Sequence, residues 1–490
     1  MTDLLRRYYK KVLAGILLLN IIAHLPYLHL PPCSIHVWRQ CNTLAVARNF
    51  FEEDNNILKP RVDRRYDSDG VTGMQFPAFE WGLAQVYQIT GEHYFIQRGY
   101  SLLISTLTLV FTFLFFFRYR GDPFLGLAAA WFICWSPEWF YQGLNALPDI
   151  LAFCCGMGAL AFYAGWSLRK TSPQFVTAVL LITLAGLVKI QYGLFGFIIV
   201  ALLLQQYRKK LISNKHLLHW FLAGTAALVI VIGWYSYAHH LIQQSGLFDF
   251  VLNIRPVTDF QTAASIFKKN IISDFPELLF GYAGTLLLLT GLISYRRKDN
   301  RKKWIALPAF LLFIVWYVLM LEQMQVHQYY LLPVLALAIF PVLNGIKWIT
   351  DTRKTSVLYF ILLLMPATAM IRILPARWMK EDLGIPAGFA NSANLEQLIN
   401  AVPSEEKVIT VPDESGCIWL YFLHKKGFSY EDTSLFTTTN ENGEIIFEEY
   451  RRRGAKWLYI LKGKIENPQD PPNGLMMHQS IGDIDIYRIK

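Results

Sequence analysis

His36-Val37-Trp38-Arg39-Gln40, Asn42, Ala47-Arg48-Asn49-Phe50, Lys59-Pro60-Arg61-Val62-Asp63, Asp69-Gly70-Val71-Thr72-Gly73-Met74-Gln75-Phe76-Pro77 and Glu80-Trp81 follow one another along a single stretch of the sequence. The stretch is too polar to lie in lipid, yet apolar runs flank it on both sides. It is also long for a loop, and long loops between packed elements tend to be functional. It reads as the floor of an active site on one face of a membrane.

The surrounding composition supports the membrane. Of 490 residues, 54% are hydrophobic and only 17% charged, below the roughly 25% of soluble domains. The apolar residues fall in runs of about 18 to 22, the length that crosses a bilayer core. The net charge of +10 does not point to nucleic acid, because the basic residues sit in short clusters between apolar runs, as the positive-inside rule describes. Three cysteines, Cys134, Cys154 and Cys155, fall in apolar runs as small core residues. The others, Cys33, Cys41 and Cys417, show no spacing that suggests a metal site or disulfide framework. The first apolar run lacks a small-residue cleavage site and reads as a retained helix.

The expected class is an α-helical polytopic membrane protein of about eleven transmembrane helices with a small C-terminal α/β domain. The expected spans are about 11–30, 96–117, 123–141, 150–167, 174–188, 192–206, 217–238, 276–294, 304–321, 329–347 and 355–374. Arg6, Arg7, Lys10 and Lys11 place the N-terminus in the cytoplasm. Arg118-Tyr119-Arg120, Arg169-Lys170, Arg208-Lys209-Lys210 and the cluster from Arg296 to Lys303 fall on the same side. Two outer loops, 31–92 and about 239–275, and the tail then face outward. Residues 1–375 read as a transmembrane domain that includes the first outer loop 31–92, and 376–490 as an extracytoplasmic α/β domain. Within the loop, Trp38 to Phe51 reads as a short helix lying on the membrane interface, and Pro77 starts a second helix through Tyr87. In the tail, Lys407–Val411, Lys456–Leu461 and Asp483–Ile489 read as strands, and Gly416–Leu423 and Ile445–Arg452 as helices.

Polar residues at the outer ends of spans can converge on a cavity: Asp149, Lys189, Gln191, His327, Tyr329 and Tyr330. The plain alternative for any one of them is snorkelling to water. Arg39 beside Trp38 suits a phosphate, which a guanidinium grips in a bidentate way, or else anchors headgroups. Asp69 and Glu80 are candidate general bases. Asp69 before Gly70 also fits a turn, and Glu80 a helix start favoured by the dipole. No GxSxG, HExxH, Walker or CxxC motif occurs, which argues against a hydrolase elbow, a zincin, an ATPase and a thiol redox enzyme.

Taken together, His36-Val37-Trp38-Arg39-Gln40, Ala47-Arg48-Asn49-Phe50, Gln75-Phe76-Pro77, Leu147-Pro148-Asp149 and His327-Gln328-Tyr329-Tyr330 resemble polytopic glycosyltransferases of the C-type fold, which include protein O-mannosyltransferases and lipid A aminoarabinose transferases. The resemblance implies transfer of a sugar from a polyprenyl-phosphate-linked donor to a lipid, glycan or protein acceptor, by an inverting route, on the extracytoplasmic face of the bacterial inner membrane. It implies a catalytic carboxylate among Asp149, Glu80 and Asp69. Arg39, Lys189, His327 and Tyr330 would bind the donor phosphate, and His36, Trp38, Gln40, Asn42 and Gln75 would line the substrate pocket. No metal ligand set is assigned, and a divalent metal stays open. The chain departs from the pattern at Asn42, where relatives often carry Asp, and at Gln75, where Glu often precedes Phe-Pro. Two other readings stand beside this one. A transporter or flippase of lipid-linked glycans would need mid-span charges and inverted repeats. The departures at 42 and 75 would suit an inactive glycan-binding scaffold.

Overall fold

The computed structural model describes residues 2–247, 256–296, 307–380, 383–431, 447–465 and 474–490. The chain forms two compact units, each interleaved in sequence: residues 1–29, 97–236 and 252–380 make the first, and 30–96, 237–251 and 381–490 the second.

The first unit is helical. Among the described residues, seven helices are long and apolar enough to cross a membrane: Tyr9–Tyr27, Tyr94–Arg120, Pro148–Arg169, Ile190–Arg208, Asn214–Ser245, Gln328–Asp351 and Thr355–Trp378. Phe260–Leu279 and Gly281–Ser294 make an eighth if the pair, bent by 114°, counts as one span. The expected eleven are not reached by length. The third and fifth expected spans appear as Pro123–Cys134 and Ser172–Val188, of 12 and 17 residues, and the described part of the ninth is Leu307–Leu319. At about 1.5 Å per residue, 12 residues rise roughly 18 Å, short of a hydrocarbon core of about 30 Å. Most of the basic cluster expected to precede the ninth span lies outside the described residues.

Local signals set the helix starts. Asp122 accepts from the Phe124 amide at 3.0 Å, with Pro123 at the first helical position, and Ser136 does the same for Trp139 ahead of Pro137–Gln142. Small residues set the closest packing. A Cβ added at Gly291 would lie 1.8 Å from the Pro341 carbonyl oxygen, and one at Gly345 2.3 Å from that of Leu287. Helices Gly281–Arg296 and Leu332–Asp351 therefore meet backbone to backbone, the small-residue packing expected inside a bilayer.

The second unit contains a mixed five-stranded sheet. Its strands are β1 (Lys407–Val411), β2 (Gly427–Ser429), β3 (Ala455–Leu461), β4 (Leu475–Ile481) and β5 (Ile484–Ile489), in the order β2-β1-β3-β5-β4. β1 runs parallel to β2 and β3, while β5 is antiparallel to both β3 and β4. Ile409, Val411, Phe428, Leu458, Ile460 and Tyr487 form its apolar core. β1, β3, β5 and the helix Ile418–Leu423 match the expected elements. Of the expected helix 445–452, the described part is Phe447–Arg452.

The first outer loop belongs to this unit rather than to the spans, so the chain does not divide at one boundary near 375. Its helix Val37–Glu52 buries 13 of 16 residues, charged ones included. That corrects the expectation of a helix lying on the membrane interface, which would keep one face in water. The second loop helix is Ala78–Thr90 with Pro77 at its cap. A close approach fixes the loop: a Cβ on Gly73 would fall 1.7 Å from the Ala238 carbonyl oxygen, and the Thr72 hydroxyl donates to the Leu247 carbonyl at 2.9 Å.

Candidate functional site

In the first unit, the ends of three helical segments bring together five of the residues singled out from sequence. Pro148 opens helix Pro148–Arg169 and puts Asp149 in its first turn, fully buried. Lys189 is extended between helices Ser172–Val188 and Leu194–Arg208. Its ammonium lies 3.1 Å from one Asp149 carboxylate oxygen. The other oxygen accepts from the Tyr192 hydroxyl at 3.2 Å. Above the ammonium sit the rings of Tyr329 and Tyr330, at 4.9 and 4.7 Å. A tyrosine face attracts a cation through its quadrupole. His327 stacks on both rings, at 5.5 and 6.0 Å.

The same unit holds a small apolar pocket. Leu194, Phe195, Ile198, Phe313, Pro333, Ala336 and Leu337 line it. Leu194 follows Lys189 by just over a turn, and Pro333 follows Tyr330 by one, so the same stretches of chain carry the charged pair with its rings and the apolar lining. A buried cation beside one carboxylate and two rings can take an anion.

The second unit carries the loop residues. His36, in the left-handed region at φ 63°, precedes helix Val37–Glu52. Arg39, Gln40 and Asn42 are buried and Trp38 half-buried; Gln40 donates to the Cys33 carbonyl at 2.9 Å. Gln75 donates to Glu80 at 3.4 Å, and Glu80 is fully buried. Asp69 lies apart from these: 68% of its side chain is exposed, and it accepts from the Val71 amide two residues on, the local bond of an Asx turn.

Two clusters were not singled out from sequence. In the second unit, Arg48 makes a bidentate pair with Glu92 at 2.8 and 2.9 Å and donates to the Tyr421 carbonyl at 3.0 Å. Its guanidinium also lies 3.2 Å from the His424 Nε2 and 4.5 Å over the Tyr421 ring. Burial lowers the His424 imidazole to about 4, with the Arg48 charge acting in the same direction. Burial alone would raise Glu92, but the charge and hydrogen bonds of Arg48 outweigh it and hold the carboxyl below its usual value. In the first unit, Gln142 donates to the buried Glu138 at 2.8 Å, Asn145 to Gln142 at 3.3 Å, and Arg98 to Asn145 at 3.0 Å. Arg377 donates to Gln328 at 3.0 Å and packs over Tyr141. Glu138 and Gln142, one turn apart beside the Trp139-Phe140-Tyr141 run, were the available signal; the run reads first as an aromatic belt. Among the described residues no group of three or more His, Cys, Asp or Glu side chains could hold a metal ion.

No protein-family model matches the chain, and no curated protein matches it in sequence. Solved structures do match in three dimensions. ArnT of Cupriavidus metallidurans, a lipid A aminoarabinose transferase, superposes in its apo state with a TM-score of 0.50 at 13% identity, over 97% of this chain and 98% of its own. The Archaeoglobus fulgidus oligosaccharyltransferase AglB, in complex with an inhibitory peptide and a dolichol-phosphate, gives 0.54 at 13% identity, over 93% of this chain and 70% of its own. This is the C-type glycosyltransferase fold. The chain is a polytopic membrane protein of that fold, with a small C-terminal sheet domain.

Proposed function

We propose that this chain is a membrane glycosyltransferase that moves a sugar from a polyprenyl-phosphate carrier to a lipid, glycan or protein acceptor on the extracytoplasmic face of a bacterial inner membrane. The observation that carries the reading is the buried Lys189–Asp149 pair under Tyr329 and Tyr330. The phosphate of a carrier matches the ammonium. The fold agrees: the AglB structure contains a dolichol-phosphate.

The reaction is a single displacement with inversion. The acceptor hydroxyl or amine attacks the anomeric carbon, the bond from that carbon to the carrier phosphate breaks, and the polyprenyl phosphate leaves with the electron pair. Lys189 neutralises the charge that grows on the leaving phosphate. Asp149 holds that ammonium in place, and Tyr192 orients Asp149; with both oxygens engaged, Asp149 is a positioning residue. Tyr330 and His327 close over the phosphate. The acceptor proton goes to a general base; within the second unit, taken by itself, Glu80 is buried beside Gln75 whereas Asp69 is exposed in a turn. Glu80 is the preferred candidate base among the loop carboxylates, and Arg39, His36, Trp38, Gln40, Asn42 and Gln75 are candidate pocket residues of the same unit.

Binding of undecaprenyl phosphate to the purified protein in nanodiscs, read by native mass spectrometry, tests the carrier. The parent chain binds it and Lys189→Met binds at least tenfold more weakly; equal binding by both would remove Lys189 from the site. Surface glycans of cells with and without the protein, compared by mass, then identify the sugar and acceptor. Glu80→Gln should cost about 10²- to 10⁴-fold in transfer, the usual worth of a general base. Engineered cysteines in 31–92 and 383–431 should label in intact cells; labelling only after lysis refutes the sidedness.

A further inference from the structure

The second unit gathers thiols that lie far apart in sequence. Cys33 and Cys41 come from the first outer loop, and Cys417 directly precedes helix Ile418–Leu423. The Cys417 sulfur lies 3.3 Å from the carbonyl oxygen of Trp38, a residue 379 positions away. Cys41 stands one helical turn beyond Trp38 on the same face. Cys33 and Cys41 are fully buried, and Cys417 is 8% exposed. Burial raises the Cys41 thiol well above its ordinary value, with Cys417 and Cys33 acting in the same direction, and all three are free thiols in the structure. Nothing among the described residues makes the cluster a metal site. Cys134, Cys154 and Cys155 belong to the other unit.

We infer that Cys41 and Cys417 are a disulfide pair that joins the first outer loop to the sheet domain. The inference rests on the proposed sidedness, since disulfides persist in oxidising compartments. The oxidant is a disulfide, small or carried by an oxidoreductase. The Cys417 thiolate attacks one of its sulfurs and displaces a thiolate. The Cys41 thiolate then attacks the Cys417 sulfur and displaces the second. One S–S bond forms and one breaks, two electrons pass to the oxidant, and the two thiol protons end on the displaced thiolates. Burial disfavours the attacking thiolate of Cys41, so closure belongs to folding, before the helix is covered.

Trypsin cuts after Arg39 and so separates Cys33 from Cys41, which makes the pairing readable by mass. Membranes are prepared in N-ethylmaleimide and the protein is digested without reductant. The expected product is one cross-linked species joining the Cys41 peptide to the Cys417 peptide. It survives in Cys33→Ser and vanishes in Cys41→Ser. A second arm reduces the purified parent chain, unfolds it and refolds it with oxidised glutathione. Cross-linking in both arms supports the pair. Cross-linking in the second arm alone upholds the pair and refutes the proposed sidedness. Alkylated thiols in both arms, or a Cys33–Cys417 cross-link, overturn the inference.

Discussion

Arg48 and Lys189 are both buried cations beside a carboxylate, and the rest of their surroundings differ. Arg48 gives two hydrogen bonds to Glu92, one to a backbone carbonyl, and faces an imidazole nitrogen and a tyrosine ring. Little of its hydrogen-bonding capacity is left. Lys189 has one carboxylate oxygen at 3.1 Å and two ring faces. An anion competes poorly with the first set of partners and well with ring faces, which attract a cation by a fraction of what a phosphate does. Charge and burial alone do not separate a clamp from a binding group; the number of strong partners already in place does.

The largest effect expected is on the clamp. Arg48→Met leaves the Glu92 carboxylate buried without its partner, a change typically costing about 3–5 kcal/mol. Thermal melting should fall accordingly and proteolysis of the loop should rise, with partial recovery when Glu92→Gln is added. A loss below about 1 kcal/mol, the size of a surface pair, would break the contrast. Next comes the binding group. The double variant Lys189→Met, Asp149→Asn strands no charge, and neutral replacement of a buried pair is often tolerated. It should melt near the parent while losing about 10²- to 10³-fold in transfer, the scale of one lost electrostatic contact to the leaving group. A melting loss as large as that of Arg48→Met would make Lys189 a second clamp.

A smaller effect is expected with pH. His424 binds its proton at about 4 when folded and near 6.5 when unfolded. The unfolded chain therefore holds more protons between these values, and stability falls as pH drops from about 6.5 toward 4. Glu92, held low by Arg48, loses its contribution further down, as pH falls below its unfolded value. The residue containing His424 is exposed, so solvent screening trims the first effect. His424→Gln should flatten the melting profile between pH 6.5 and 4; an unchanged slope would remove His424 from the clamp. The smallest effect is at Asp69, 68% exposed. Asp69→Asn should stay within about 0.5 kcal/mol in stability and near the parent rate in transfer, and a large activity loss would restore it as a candidate base.

The sequence made parts of this molecule legible and hid others for physical reasons. Apolar run length located the long spans, because a bilayer imposes a length on any helix crossing it. The expected eleven is not reached by length where helices stop short, as Pro123–Cys134 does at Trp135. Lys189, Tyr329 and Tyr330 could be grouped because each sits at the end of an apolar run, which sets their common depth. Glu138 and Arg98 could not, since no periodicity marks a charge that is satisfied through Gln142 and Asn145. Arg48 lay inside a quoted motif, but its partners Glu92 and Tyr421 are 44 and 373 residues away, and no local pattern carries such pairings. β2 has three residues and β4 follows no alternation of burial, so neither announces itself as a strand.

The second unit is assembled from three separated stretches of chain, and this imposes an order in time. Residues 30–96 leave the ribosome long before residue 381 is made. At roughly 5–20 residues per second, the intervening chain takes on the order of a quarter-minute to a minute to synthesise. Throughout that interval the helix that will carry Arg48 and Cys41 waits without Tyr421, His424 and Cys417. The loop must therefore persist unassembled beside the membrane, where a chaperone that shelters it would be needed early in synthesis rather than at its end.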